Sequence, residues 1–513
     1  MRKRIRAPRA GVLSIFAALL VLPGCFSESD PPKRAEQAVE QAPGGPAEQG
    51  SETDTLRIGI LSGEKGDRYY RETYTDIYEY MYPDMRIEIV PAVDTSRYRY
   101  LDPDSKPYHS EAPLHELGKL TEGKAPVDVL ILDSETLRKA IDRGWTQPLA
   151  PFMQQTGETE QAFAPAVIDG LKDLGGGTLH ALAPDYASTA LYYNVDWFER
   201  NGVKLPADGM TWDEAFARAR AASGEDDKGG HVYGLSFTQT LAEDPLWGIR
   251  GYTDPLGLTT FDLEQSEMTV DTPEWEKVWT DLAAMVQQKA IPIGMQSVSD
   301  SGGYDPFGGD LFLGGKTAMT IADSSYASDL QTAARNAERI EGFEPFNWET
   351  VTLPVHTGHE GIGAGVKLGD TFSVSATSRH QQEAWAFIRF VTGERMQAME
   401  LHDPYRMPSR LSAIASEAEK NGYRSEAFTQ LRPAAPIAER EEQAVEQNPQ
   451  LWQIGDTGRS LFQRVLEGEL PAKRALEQWE NDGRRFLKGP FTEDGTLAFG
   501  GPFSTAYRLD PWT

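Results

Sequence analysis

Strand, helix and strand follow one another within 35 residues, and that succession limits the fold of this chain more than any other feature. Leu56-Arg57-Ile58-Gly59-Ile60-Leu61 is a short apolar run that ends at Ser62-Gly63. Tyr70, Tyr74, Ile77, Tyr78 and Met81 then recur at i, i+4, i+7, i+8 and i+11, a spacing that predicts one buried face of a helix. Pro83-Asp84 ends it, and residues 85–90 (MRIEIV) alternate as a second strand. A βαβ unit of this kind calls for a parallel sheet covered by helices, and so for an α/β fold. Residues 127–132 (VDVLIL) supply a further strand, followed by a helix with Ser134 as its expected N-cap and Gly144 as its close. Further on, Thr211-Trp212-Asp213-Glu214 predicts a capped helix start, and residues 274–286 are amphipathic through Trp275, Val278, Trp279, Leu282 and Val286. Short strands are expected at 318–321 and 371–374, and a buried helix at 384–391.

The first 54 residues read differently. Five cations (Arg2, Lys3, Arg4, Arg6 and Arg9) precede the apolar run 11–22, which is too short to span a ~30 Å hydrocarbon core. A positive start, a short apolar stretch and small residues after it make a secretory signal over residues 1–24. Residues 26–54 are rich in Pro, Gly, Gln, Glu and Ser without apolar periodicity, so they cannot bury enough surface to offset the entropy of ordering. They are expected to be a tether. Residues 491–513 form an aromatic C-terminal extension with no expected place in the fold.

Charge excludes one class of partner outright. The chain holds 50 Lys+Arg against 78 Asp+Glu, a formal net charge of -28, and loss of the five leader cations would take it to -33. Nucleic acid binding needs clustered cations to neutralise phosphates, so DNA and RNA are not expected partners. The single Cys rules out an intramolecular disulfide.

That one Cys, Cys25, closes the motif Leu22-Pro23-Gly24-Cys25, which resembles the bacterial lipobox. The resemblance implies that Cys25 becomes the first residue of the mature chain and carries lipid, tethering the protein to the extracellular face of the cell membrane. Pro23 departs from the pattern, where a small or polar residue is commoner. Downstream motifs resemble the extracellular solute-binding proteins of carbohydrate-type ABC importers, the class containing maltose-binding protein. The most distinctive run is Leu179-His180-Ala181-Leu182-Ala183-Pro184-Asp185-Tyr186 through Leu191-Tyr192-Tyr193-Asn194. Ser62-Gly63-Glu64-Lys65-Gly66, Gly144-Trp145-Thr146-Gln147-Pro148-Leu149, Gly315-Lys316-Thr317-Ala318-Met319-Thr320-Ile321 and Ala384-Trp385-Ala386-Phe387-Ile388 keep the same order along most of the mature chain.

The resemblance implies a two-lobed, periplasmic-binding-protein-like α/β fold (type II) with a hinge and an interlobe cleft. Chain crossings are then expected near 183–187, 360–367 and 392–396. They divide the body into lobe 1 (55–184 plus 365–394) and lobe 2 (185–364 plus 395–490). It also implies a monomer that needs no cofactor, captures a sugar or oligosaccharide without catalysis, and hands it to a membrane permease.

A sugar site needs flat rings to stack on pyranose faces and carboxylates or amides to accept hydroxyl donors. Glu64 and Lys65, after the first strand, fill the loop that supplies polar contacts in the family; a solvated turn is their plainer role. Asp133 ends a strand, where α/β proteins gather ligands, although a carboxylate there also suits a helix N-terminus. Asp185 and Tyr186 fall at the inferred hinge. Asp323 and Tyr326 follow the Ala-Met-Thr-Ile strand, and Trp452 matches a position where the family stacks a Trp on sugar. Trp247 and Tyr252 stand in loops rich in Gly, Pro and Asp, while Trp275 and Trp279 have helical spacing and are assigned to the core. His356-x-x-His359 lacks the i, i+4 spacing of a helical zinc pair, so no metal is expected. The competing readings are an exported glycoside hydrolase working through two carboxylates, or a binding subunit for peptides or sensing.

Overall fold

The computed structural model describes residues 54–488, apart from 98–111, 241–243, 264, 293–305, 398, 400–404, 436, 438–439, 442–443 and 446–447. The signal segment, Cys25, the tether and the C-terminal extension lie outside the described residues. In chain order the principal strands are β1 (Asp54–Gly63), β2 (Met85–Asp94), β3 (Val129–Leu132), β4 (Asp185–Ala187), β5 (Thr189–Asn194), β6 (Met319–Asp323), β7 (Trp348–Thr352), β8 (Lys367–Leu368), β9 (Thr371–Val374) and β10 (Met407–Pro408).

The βαβ unit anticipated from the first strand is present. β1 pairs in parallel with β2 and with β3, bringing Ile58 level with Ile89 and Val129, and β9 closes the sheet antiparallel to β3. The inner strand β3 is buried along its whole length, as a strand covered on both faces requires, whereas the edge strand β2 alternates buried Met85, Ile87 and Ile89 with exposed Arg86 and Glu88. Leu56, Ile58, Ile60, Val129 and Ile131 are all buried, and the helix Gln381–Val391 adds Trp385, Phe387 and Ile388 to the same core. The helix after β3 spans Ser134–Asp142, and its N-cap is Asp133 rather than Ser134. The Asp133 carboxylate accepts from the Thr136 amide at 2.8 Å, which satisfies one of the otherwise orphan donors of the first turn.

A second sheet runs β6-β5-β7, with both neighbours antiparallel to β5. β5 is buried on both faces, and its residues alternate between two cores. Ala190 and Tyr192 join the core that continues from the first sheet, whereas Leu191 and Tyr193 join a second core with Trp212, Trp275, Trp279 and Trp479. The expected capping box at Thr211 and Glu214 is present, and Trp275 and Trp279 are interior as their spacing predicts.

Between these sheets in the chain lies a third, small one of order β8-β4-β10. Chain leaving the first sheet runs through β4 straight into β5, and chain leaving β7 returns through β8 into β9. After the helix Gln381–Val391 it crosses again through β10. The segments brought side by side are thus 185–187, 367–368 and 407–408.

Candidate functional site

The carboxyl ends of β1 and β3 open towards the small three-stranded sheet, the place where open α/β sheets collect ligands. β9 runs antiparallel, so its first residue Thr371 pairs with Leu132, the last residue of β3. That register sets Asp370 beside Asp133 on the same edge. One residue earlier, the Gly369 amide donates to the Asp185 carbonyl at 3.1 Å, which draws β4 against this edge. A Cβ on Gly369 would lie 2.2 Å from Asp185 Oδ1 and 2.9 Å from Arg406 Nη1, so only glycine admits the two side chains here.

Those side chains form an ion pair. Arg406 Nη1 donates to Asp185 Oδ1 at 3.0 Å, linking the residue before β10 to the first residue of β4. Asp370 stands next to the pair and accepts from the hydroxyls of Tyr69 and Tyr74, both at 3.4 Å from Oδ2. Burial, and then the negative charge of Asp185, push the Asp370 carboxyl above its usual range; the Arg406 guanidinium and the two phenols pull it back. Burial and the same carboxylate raise the phenols of Tyr69 and Tyr74.

Two tyrosines five residues apart meet one carboxylate because the helix is wound differently there. The helical segment after β1 begins as Arg68–Tyr70, widens into a π-helical turn over Arg71–Thr75 and resumes as Asp76–Met81. In a π-turn the i to i+5 bond brings residues five apart onto a common side, and such bulges cluster at functional sites. Tyr74 is buried against Phe372, while Tyr69 is 56% exposed and meets Tyr74 edge to face. Below the cluster, Tyr74, Pro184, Asp185 and Gln397 line a cavity of about 30 Å³, room for a water molecule and no more.

The residues singled out from sequence fall into three groups. Glu64, Lys65, Asp133 and Asp185 share the edge just described. Glu64 and Lys65 are in the turn that closes at Asp67, whose amide donates to the Glu64 carbonyl at 3.0 Å. Asp133 is exposed and serves as the helix cap. Asp323 ends β6 opposite Thr189, so it sits on the edge of the second sheet nearest β4, and its carboxylate closes a turn on Ser325.

Tyr186, Tyr252 and Tyr326 do not offer a ring to a ligand. Tyr186 is central in the three-stranded sheet and fully buried, with its hydroxyl on the Phe428 carbonyl. Tyr252 is packed among Trp212, Phe216 and His356. The Tyr326 hydroxyl reaches both carboxylate oxygens of Asp310 at 2.8 Å, and its ring is 2% exposed. Each was an aromatic beside a loop or hinge in sequence, and each is instead sealed by packing from a distant segment. Trp452 is 56% exposed at the start of the helix Trp452–Leu466, while Trp247 lies in the short helix Pro245–Gly248 with its side chain outside the described residues.

Tyr69, Tyr74, Asp370 and Arg406 belong to this cluster, and no sequence pattern singled them out as candidate site residues. The helical spacing placed Tyr74 on the core face but said nothing of a π-turn. Asp370 has no local signal, since its position depends on an antiparallel pairing between β9 and a strand far earlier in the chain. Among the described residues no group of His, Cys, Asp and Glu is arranged to hold a metal ion.

Known proteins share this architecture. The chain is 22% identical over 367 residues to the sn-glycerol-3-phosphate-binding periplasmic protein UgpB of Rhizobium meliloti, covering 69% of this chain and 78% of that protein. Its structure resembles an extracellular solute-binding protein family 1 member from Alicyclobacillus acidocaldarius, with a TM-score of 0.54 at 15% identity over 86% of this chain and all of the other. It also resembles the sugar-binding protein MalE from Xanthomonas citri, with a TM-score of 0.50 at 17% identity over 84% and 97% of the two chains. These likenesses establish the two-lobed, periplasmic-binding-protein-like α/β fold. The family model described as bacterial extracellular solute-binding protein matches residues 115–398, more than half of the chain. This protein belongs to the bacterial extracellular solute-binding protein family.

Proposed function

We propose that the chain is a lipid-anchored extracellular receptor that captures a sugar or oligosaccharide between its lobes and delivers it to an ABC importer. The observation that carries the reading is the cluster of Asp370, Asp185, Arg406 and Tyr69 at the carboxyl edge of the first sheet, against the strands that join the lobes. Carboxylates that accept hydroxyl donors, a guanidinium that donates, and an exposed ring are the groups a polyhydroxylated solute needs. Similarity to a sugar-binding protein and to a binding protein for a phosphorylated polyol supports the same class. Glu64, Lys65 and Asp133 extend the site on the first lobe, and Asp323 and Trp452 supply it from the second. The lobes divide at β4, β8 and β10. No catalysis is required, because closure is favoured as far as the solute binds the closed form better.

The anchor reading rests on Cys25 and the leader before it. Among the described residues no helix is long and apolar enough to cross a membrane. More than one acyl chain makes such attachment durable. Cys25→Ala is expected to move the protein from the membrane fraction to the soluble fraction; unchanged fractionation would remove the anchor.

Ligand capture is tested by thermal shift of the mature chain against neutral sugars and oligosaccharides, sugar phosphates, amino acids and short peptides. A solute at 100 times its dissociation constant stabilises by about 2.7 kcal/mol, a readily measured shift. A shift from sugars without turnover supports the receptor reading. A shift from peptides alone would keep the fold and overturn the substrate class.

A further inference from the structure

The carboxylates along the binding edge are not equivalent once their hydrogen bonds are followed. Asp67 caps its own turn, accepting from the amides of Glu64 and Tyr69. Asp133 is taken up by the amide and hydroxyl of Thr136. Asp323 is taken up by the amide and hydroxyl of Ser325. Asp185 holds Arg406. Asp370 alone among these five makes no bond to a backbone amide or a cation. Among the described residues its hydrogen-bond donors are two phenol hydroxyls, and both reach the same oxygen, Oδ2, at 3.4 Å. That distance is well beyond the ~2.7 Å of a settled O–H···O bond, so the carboxylate retains acceptor capacity.

The surroundings say what it accepts. Arg406 is hydrogen-bonded to Asp185 and offsets Asp370 only through space, and the acids named on this edge (Glu64, Asp133, Asp185 and Asp370) outnumber the cations Lys65 and Arg406. Tyr69 carries an exposed ring beside it, and the small cavity beneath cannot admit a solute. A group arriving here meets acceptors and a flat ring under net negative charge. Hydroxyl groups suit such a site, and a phosphate is repelled by it.

We propose that Asp370 is the solute-reading carboxylate of the site and that it selects uncharged polyhydroxyl solutes over phosphorylated ones. This rests on the sugar-receptor reading and narrows it. Asp185 acts as a positioning residue that neutralises Arg406, and Tyr69 is the ring against which the solute lies.

The test uses the mature chain with a fixed panel of neutral mono- and oligosaccharides, and with glucose 6-phosphate and sn-glycerol 3-phosphate as anionic probes. The neutral sugar giving the largest thermal shift is titrated calorimetrically into the wild type, Asp370→Asn, Tyr69→Phe and Asp84→Asn. Asp84 is an exposed acid before β2, at the opposite edge of the same sheet, and serves as the control. The expected result is at least a ten-fold loss of affinity in Asp370→Asn, the size of a lost charge-assisted hydrogen bond. Tyr69→Phe is expected to change affinity by a few-fold with its fold intact, and Asp84→Asn to leave it alone. Both phosphorylated probes are expected to bind the wild type about a hundred-fold more weakly than the neutral sugar, with the gap narrowing in Asp370→Asn.

Unchanged sugar affinity in a folded Asp370→Asn, or tighter binding of either phosphorylated probe than of any neutral sugar, overturns the proposal and leaves the receptor reading standing. If Asp370→Asn fails to fold by circular dichroism, unchanged affinity in Tyr69→Phe together with tight binding of the phosphorylated probes overturns it. Silence from every sugar, neutral or phosphorylated, overturns both.

Discussion

His356 illustrates how one side chain acquires a pH sensitivity that its sequence neighbours do not disclose. The pairing His356-x-x-His359 could be taken for a metal motif, but the His356 ring turns inward. Its Nε2 donates to the Tyr252 carbonyl at 2.7 Å, and the ring lies 4.6 Å from that of Tyr252, edge to face. Burial lowers its pKa below the usual 6.5, only partly offset by the carbonyl. The folded state therefore resists protonation while the unfolded chain does not. Stability from this group is fully present above about pH 6.5 and falls as the pH drops through that value towards the lowered folded pKa. His180 next to Thr146 has the same sign, again from burial. Urea melts between pH 5.5 and 7.5 should give a shallower pH dependence for His356→Gln than for the wild type. An identical slope would mean that the imidazole is not held neutral.

At the scale of elements, the helices Trp452–Leu466 and Ala472–Lys488 show packing overruling propensity. Gly458 lies inside the first of them, where Gly→Ala ordinarily gains about 1 kcal/mol. Here a Cβ would sit 2.3 Å from the Trp479 ring. Trp479 cannot retreat, because its indole donates to the Ile454 carbonyl at 2.8 Å and stacks on Trp279 with centroids 5.5 Å apart. Gly458→Ala is expected to destabilise by about 1–3 kcal/mol, the cost of overpacking a well-filled contact. A gain in a chemical denaturation series would show that the helices can slide apart. The π-turn at Arg71–Thr75 is the same lesson nearer the site. The tyrosine spacing foretold a helix with a buried stripe, yet the extra residue in one turn is what brings Tyr69 round to Asp370.

Across the whole molecule, one buried amide ties together two remote segments of the small three-stranded sheet, the residue before β4 and the residues after β10. Gln397 Nε2 donates to the Pro184 carbonyl and to Ser409 Oγ, while its Oε1 accepts from the Arg410 amide at 2.8 Å. Arg410 in turn pairs with Glu158 at 3.0 Å and covers the Phe163 ring. Gln397 thus ties Pro184 to Ser409 and Arg410 through groups that water does not reach. Gln397→Ala would strand several of them, and about 2–4 kcal/mol of stability should be lost, since each unmet buried partner costs roughly 1–3 kcal/mol. Equilibrium unfolding measures it, and a loss under about 0.5 kcal/mol would show that the two segments hold without the amide.

Sequence by itself determined what depends on neighbours along the chain. Apolar alternation and helical period are local quantities, so β1, β2, β3, the capping box at Thr211 and the buried Trp275 and Trp279 are legible in the order of residues alone. The strongly acidic composition is legible in the same way. Tertiary structure decided everything set by the meeting of remote segments. It buried Tyr186, Tyr252 and Tyr326, whose sequence surroundings suggest ligand contacts, and paired Met407–Pro408 with β4. It also assembled Asp185, Asp370 and Arg406 from three separate stretches. The physical reason is that a hydrogen bond, an ion pair or a covered ring depends on distance in space, whereas the periodicities of a sequence record only which face a residue turns to its own element.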